Sequence, residues 1–264
     1  MNIHQQLPSK IRVAESFAKA AGSYDRYAHF QRDVADRLLS GIQGEGVKRI
    51  LDVGSGTGYC ASKLLNQCHD ANITSLDIAQ PMLGHASKAG TMQRESWVCG
   101  DGEELPFIDE SFDLVVSSLA MQWCPDPEEF CNEIFRVLEP GGRAFISTLA
   151  EHTLTELRKS WSAIDSYAHV NDFLPCQDIE KVINAVPFSR VELNNIQENH
   201  FYDSFNELCR ELKGIGAHNL NSGQAEGLTG KNKIRQVKSD FESNAVEGKG
   251  IPVTWDLVLI VLEK

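Results

Sequence analysis

The run Ile50-Leu51-Asp52-Val53-Gly54-Ser55-Gly56-Thr57-Gly58-Tyr59 constrains this chain more than any other stretch. Its apolar start reads as a short buried strand, its glycines as a tight turn, and the residues from Tyr59 onward as a helix. Gly54, Gly56 and Gly58 carry no Cβ, so the turn can take positive φ angles and admit a ligand close to the backbone. The helix beyond it offers unpaired N–H groups and the positive end of a dipole. A turn of this kind cradles a nucleotide-like cofactor.

The surrounding pattern alternates short β-branched runs with helical segments. It predicts strands over 49–53, 73–77, 96–99, 112–118 and 143–149, with helices over 58–67, 81–89 and 127–138. Pro81 and Pro127 fit a first helical turn, where the missing N–H costs nothing. Glu139-Pro140-Gly141-Gly142 closes a helix and turns back into a strand. Alternation at this spacing implies a parallel sheet with helices on both faces. Helices are also predicted at 10–21 and 26–42, the second carrying Phe30, Val34, Leu38 and Ile42 every four residues. Beyond the core the pattern gives helices at 154–167, 178–185, 204–214 and 231–242, strands at 189–197 and 253–262, and a mobile loop over 219–230.

At 264 residues the chain suits one large domain. The longest apolar runs are strand-length and too short to span a membrane, and residues 1–8 lack the apolar core of a secretory signal. Seven cysteines with no Cys-x-x-Cys pair argue for reduced thiols in a cytoplasm and against a disulfide frame or a zinc site. A net charge of −12 disfavours nucleic acid as a partner. Two segments, 10–37 and 231–238, run basic against that average, either as solvated helix faces or as a docking patch.

Glycine spacing bears on which cofactor is held. Gly54-x-Gly56-x-Gly58 departs from the G-x-G-x-x-G pattern of dinucleotide-binding turns, which counts against a dehydrogenase. Asp77 closes the second strand, where its carboxylate can accept both ribose hydroxyls. Asp101 follows the third, placed to accept from an adenine amino group. Residues 51–58, 76–77, 100–101, 112–118 and 138–142 together resemble, in order, the motifs of class I S-adenosylmethionine-dependent methyltransferases. That resemblance implies an α/β, Rossmann-like, seven-stranded sheet whose last strand is antiparallel. It also implies that Asp52 sits under the methionine amino group, with Ser55 in the binding turn, and that Ile78, Met82, Gly102 and Leu119 line the adenosyl pocket. The product would be S-adenosylhomocysteine, and no metal is expected.

After the fourth strand the chain has Ser117-Ser118-Leu119-Ala120-Met121-Gln122-Trp123-Cys124 rather than the Asn/Asp-Pro-Pro-Tyr motif of many N-methylating enzymes. Four segments outside the generic motifs, at 17–31, 119–123, 171–175 and 212–217, are similar to the malonyl-acyl-carrier-protein O-methyltransferases of biotin synthesis. Residues 224–250 match that family least. The resemblance implies methyl transfer to the free carboxylate of a malonyl thioester on an acyl carrier protein. Such a carboxylate is already ionised near neutrality, so no general base is needed. Catalysis reduces to positioning and water exclusion.

The acceptor side then calls for aromatic walls: Tyr24 and Tyr27 on an N-terminal lid, with Gln122 and Trp123 facing the methyl group. Arg210 and Lys213 could meet a carboxylate or a phosphopantetheine phosphate. A carrier-docking patch is expected among Arg12, Lys19, Arg210, Lys213, Lys231, Lys233 and Arg235. The chain is expected to be a cytoplasmic monomer: a lid over 1–44, a core over 45–150, a helical insertion after the fifth strand over 151–187, and the rest of the sheet with its helices over 188–264. The alternatives are a methyltransferase of a free dicarboxylic acid or quinone precursor, and a catalytically silent S-adenosylmethionine-binding protein.

Overall fold

The computed structural model describes residues 9–89, 93–218 and 230–264. Most of the loop expected over 219–230 lies outside the described residues, as do residues 1–8. The strands are β1 (Arg49–Val53), β2 (Asn72–Asp77), β3 (Glu95–Cys99), β4 (Phe112–Ser118), β5 (Leu138–Leu149), β6 (Arg190–Tyr202) and β7 (Ile251–Glu263). They form one sheet in the order β3-β2-β1-β4-β5-β7-β6. β1 to β5 pair in parallel, and β7 runs antiparallel to both β5 and β6, as expected of the last strand.

Helices α1 (Lys10–Ala20), α2 (Tyr24–Tyr27) and α3 (His29–Leu39) precede the sheet. Its parallel crossovers carry α4 (Tyr59–Gln67), α5 (Gln80–Ala89) and α6 (Pro127–Val137). Then come α7 (Thr155–Ser162), α8 (Cys176–Ala185), α9 (Phe205–Gly214) and α10 (Lys231–Glu242). Strand order reverses between β1 and β4, so the crevice above their C-terminal ends is the ligand-binding position of an open α/β sheet.

Local sequence explains the crossover helices. In α6 the Asp126 side chain accepts from Glu129 N at 3.1 Å, and Pro127 opens the first turn. Phe130, Cys131, Ile134 and Val137 recur at helical spacing and are buried against the sheet. Each large apolar side chain buried this way contributes roughly 1.5–3 kcal/mol, and losing the cap would cost about 1 kcal/mol.

Three boundaries differ from the sequence pattern. The helix predicted over 26–42 is broken at Ala28 (φ −82°, ψ 43°), which separates α2 from α3. Long-range contacts impose the break. Ser23 Oγ donates to Gly214 O at 2.9 Å, and the Tyr27 ring fills the space a side chain at position 214 would take. Phe30, Val34 and Leu38 of α3 are buried in the core. The helix predicted over 154–167 stops at Ser162, where Trp161 stacks on His169 at 3.6 Å and Asp165 pairs with both His169 and Lys233. β5 starts early: Leu138 pairs with Phe112 before the register shifts and Arg143 pairs with Leu114.

Candidate active site

The glycine turn leaves β1 with Gly54 N and Ser55 N both donating to Leu76 O of β2, at 2.8 and 3.0 Å. Gly54 has φ +73°, and a Cβ there would sit 2.4 Å from the Ala120 Cβ. No other residue fits without moving the segment after β4. The turn is also tied to β2 by a carboxylate: Asp77 Oδ2 accepts from Gly56 N and Oδ1 from Ala79 N, each at 2.8 Å. Burial pushes the Asp77 carboxyl above its ordinary value even though both N–H groups favour the charge. Each oxygen keeps a lone pair for a hydroxyl.

Asp52 lies beneath the turn, 1% exposed, and neither of its carboxylate oxygens has a hydrogen-bond partner. Burial, then the neighbouring Asp77, pushes its carboxyl up to about 7. The Ala61 N–H pulls the other way but makes no well-formed hydrogen bond, and a buried acceptor pair left so poorly satisfied is costly on its own. It fits a ligand that brings an ammonium group, as the amino group of S-adenosylmethionine does. The residues present therefore suit that cofactor.

One cavity is lined by Gly54, Gly56, Asp77, Ile78, Met82, Asp101, Gly102 and Leu119, eight of the positions expected to hold the cofactor. Asp52, Ser55 and Gly58 are not on its surface; Gly58 N instead closes the turn onto Ser55 O at 3.0 Å. Asp101 is not free, because Lys10 Nζ lies 2.6 Å from its Oδ2 and 2.6 Å from Glu103. Burial opposes the Lys10 charge, but hydrogen bonds and attraction from Asp101 and Glu103 outweigh it and hold the ammonium above its ordinary value. Lys10, Val13 and Phe17 bring α1 to the cavity, and Phe17 meets Trp123 edge to face at 5.4 Å. Local sequence carried no sign of the Lys10 contact, which spans 91 positions.

A second cavity adjoins the first and shares Phe17, Tyr24, Leu119 and Trp123 with it. Its other walls include Gln31, Gln122, Asn171, Phe173, Leu212, Ile215 and Ala217. Tyr24, Gln122 and Trp123 thus meet in one cavity. Among the described residues lining it, the Tyr24 hydroxyl is the only ionisable group. Burial, then the Asp77 charge, holds that hydroxyl well above the ordinary tyrosine value, so it remains a donor. Thr148 Oγ1 donates to Gln122 Oε1 at 3.2 Å, leaving the Gln122 amide N–H groups for a ligand. Gln31 Oε1 is buried without a partner, and the amide can turn over to present N–H instead. Gln31 was visible in the sequence only as one position of an N-terminal motif.

The backbone around this cavity is strained at two points. Leu119 (φ 55°) and Leu154 (φ 57°) both adopt the left-handed conformation and both line it. Such a conformation costs a β- or γ-branched residue on the order of 1 kcal/mol and persists only where surroundings enforce it. For Leu119 the enforcement is visible: its N–H donates to Ser147 O at 2.9 Å and Ser147 Oγ at 3.1 Å.

Other expected residues lie elsewhere. Tyr27 lines neither cavity, because its ring is committed to Gly214 of α9. Arg210 is exposed and lines neither; Lys213 borders a third cavity, farther out. The basic patch is partly spent within the fold. Lys233 pairs with Asp165 at 3.0 Å, and Lys19 lies 4.0 Å from Glu15, whereas Arg12, Lys231 and Arg235 are exposed. No helix of the described residues is long and apolar enough to cross a membrane.

A methyltransferase domain family matches residues 51–146. The biotin biosynthesis bifunctional protein BioHC of Cellvibrio japonicus is 39% identical over 256 residues, which cover 97% of this chain and 50% of that protein. The malonyl-acyl-carrier-protein O-methyltransferase of Hahella chejuensis is 38% identical over 256 residues, covering 97% of this chain and 91% of that protein. The chain thus spans about half the length of the bifunctional relatives it matches. Among solved structures, phosphoethanolamine N-methyltransferase 2 of Haemonchus contortus, in complex with phosphomonomethylethanolamine and S-adenosylhomocysteine, superposes with a TM-score of 0.59. That alignment is 18% identical and covers 94% of this chain and 57% of the other, a likeness of fold.

Proposed function

The chain belongs to the malonyl-acyl-carrier-protein O-methyltransferase family, and on that footing we propose that it methylates the free carboxylate of a malonyl thioester on an acyl carrier protein, using S-adenosylmethionine, in biotin synthesis. One observation carries the reading. The four segments at 17–31, 119–123, 171–175 and 212–217 are far apart in sequence, yet each supplies walls to one cavity beside the cofactor cavity. The generic fold needs only the motifs of the β1 to β4 crevice, whereas these segments build the acceptor side.

The cofactor, when bound, supplies an electrophilic methyl group on a sulfonium, which the carboxylate oxygen attacks in line as the sulfur leaves as a thioether. Everything else falls to this chain. Asp52 would hold the ammonium, Asp77 the ribose and Asp101, with its Lys10 partner, the adenine edge, while Gly54 and Gly56 would allow close approach. Tyr24, Gln31 and Gln122 orient the carboxylate through neutral donors. Phe17, Trp123 and the α1 lid exclude water. An anion meeting a cation loses charge on the way to the transition state, so a cavity without fixed cations does not hold the nucleophile back. The ester formed is uncharged and can be elongated as an ordinary acyl group.

The test is incubation with methyl-labelled S-adenosylmethionine and malonyl-carrier, beside malonyl-coenzyme A and acetyl-carrier. Label is expected in the malonyl thioester as a base-labile ester and not in acetyl-carrier. Label in none of the three would sink the reading.

A further inference from the structure

Beyond the acceptor cavity lies a larger one, about 340 Å³ against about 40 Å³. Leu154, Leu157, Val170, Phe205 and Leu212 make its walls mostly apolar. The two cavities meet at Leu154, Asn171, Leu212 and Ala217, whereas the outer one shares no residue with the cofactor cavity. The three therefore lie in a row, with the acceptor cavity in the middle. Asn171 braces the junction: its Nδ2 donates to Ala217 O and His218 O, each at 3.4 Å.

The outermost cavity carries a cation. Lys213 is exposed and borders it, and among the described residues no carboxylate lies within ion-pair distance of its ammonium. His218 borders it too, and burial, then Lys213 and Lys19, holds that imidazole below its ordinary value. This is a positive spot on a chain of net charge −12.

From this row we infer that the outer cavity takes the pantetheine arm of the malonyl thioester, with its phosphate meeting Lys213 at the mouth. The inference rests on the methyl-transfer reading. A malonyl group has its carboxylate at one end and its thioester at the other. With the carboxylate facing the methyl group, the sulfur and the arm attached to it must leave on the opposite side. The acceptor cavity is by far the smaller of the two, and the outer cavity is where the chain can continue. Alkyl segments of the arm suit the leucine walls, and a phosphate suits an ammonium that has no carboxylate partner among the described residues. The role assigned to Lys213 is thereby narrowed from carboxylate or phosphate to phosphate, and Arg210, three residues earlier on α9, has no part in it.

Two variants test this in the full-length chain with malonyl-carrier as substrate. Cys209→Trp puts a bulky ring into the outer cavity, which Cys209 borders, and Lys213→Glu reverses the charge at its mouth. Each is expected to raise KM for malonyl-carrier by about tenfold or more, the factor that a loss of ~1.4 kcal/mol produces. Neither should change the dissociation constant for S-adenosylhomocysteine, which also reports that the variant is folded. Should Cys209→Trp fail that check, Lys213→Glu decides alone, since it alters only an exposed side chain. An unchanged KM in the folded variants overturns the channel while leaving methyl transfer intact. A parent enzyme that methylates no malonyl thioester removes the reading beneath it, and the channel falls with it.

Discussion

Lys10 joins Asp101 and Glu103 at the wall of the cofactor cavity, 2.6 Å from each, so the first helix is fastened to the loop that follows β3. Glu103 is only 5% exposed at its side chain, whereas Lys10 is 37% exposed. Solvent screens part of this attraction, but the buried carboxylate would be left without its counter-charge. Lys10→Ala is expected to destabilise the chain by about 1 kcal/mol, more at low salt than at high. Thermal denaturation at two ionic strengths measures it, and a loss insensitive to salt would point to packing instead.

Asp52 supplies a pH signature. Its folded value is about 7 against an ordinary 3.8, so its contribution to stability is full below the unfolded value and is lost as pH rises through about 7. Asp52→Asn should therefore melt above the parent beyond neutrality and no higher than it in acid. Binding an ammonium ligand reverses the preference, since only the ionised carboxylate attracts it. Affinity for S-adenosylhomocysteine is expected to rise with pH through about 7 in the parent and to be weaker and flat in the variant. Calorimetric titration across that range checks both.

Gly54→Ala sets a Cβ 2.4 Å from Ala120 at a φ of +73°. The conformation alone costs on the order of 1–3 kcal/mol, and relief requires the turn or the segment after β4 to move. Cofactor affinity should fall at least tenfold, with a lowered melting temperature. A variant that binds as tightly as the parent would show that the turn has slack.

The neutral acceptor cavity makes a less ordinary prediction. Gln122→Lys places a cation beside the reacting carboxylate, where attraction is strongest before charge is lost. KM for the malonyl thioester should fall while kcat falls by about tenfold or more, the pattern of a strengthened ground state. Gln31→Leu should instead lower kcat/KM by about tenfold with cofactor affinity unchanged. Steady-state kinetics separates these cases, and a Gln122→Lys variant that is simply faster would refute the electrostatic argument.

The parallel core was legible because its signals are local. Gly54, Asp77 and Asp101 each lie at or just past the end of a strand, and strand ends converge on one edge of such a sheet whatever the rest of the chain does. The acceptor side was legible only as motif segments, without geometry. Tyr27 looked like a partner of Tyr24, yet a contact with Gly214 turns it away. The same contact breaks a helix whose apolar stripe reads as continuous. Lys10 and the two left-handed leucines are held by partners far along the chain, Asp101, Ser147 and Thr254, and Gln31 reaches the cavity only through the fold, so periodicity within a window does not contain them.

Asp77 grips the Gly56 N–H as well as facing the cofactor cavity. The group that would select the donor's sugar is thus also a strut of the loop that shapes the donor's seat. Donor preference and loop architecture are for that reason one trait in this chain. Any attempt to retune the enzyme for an analogue with an altered ribose must rebuild the turn at the same time.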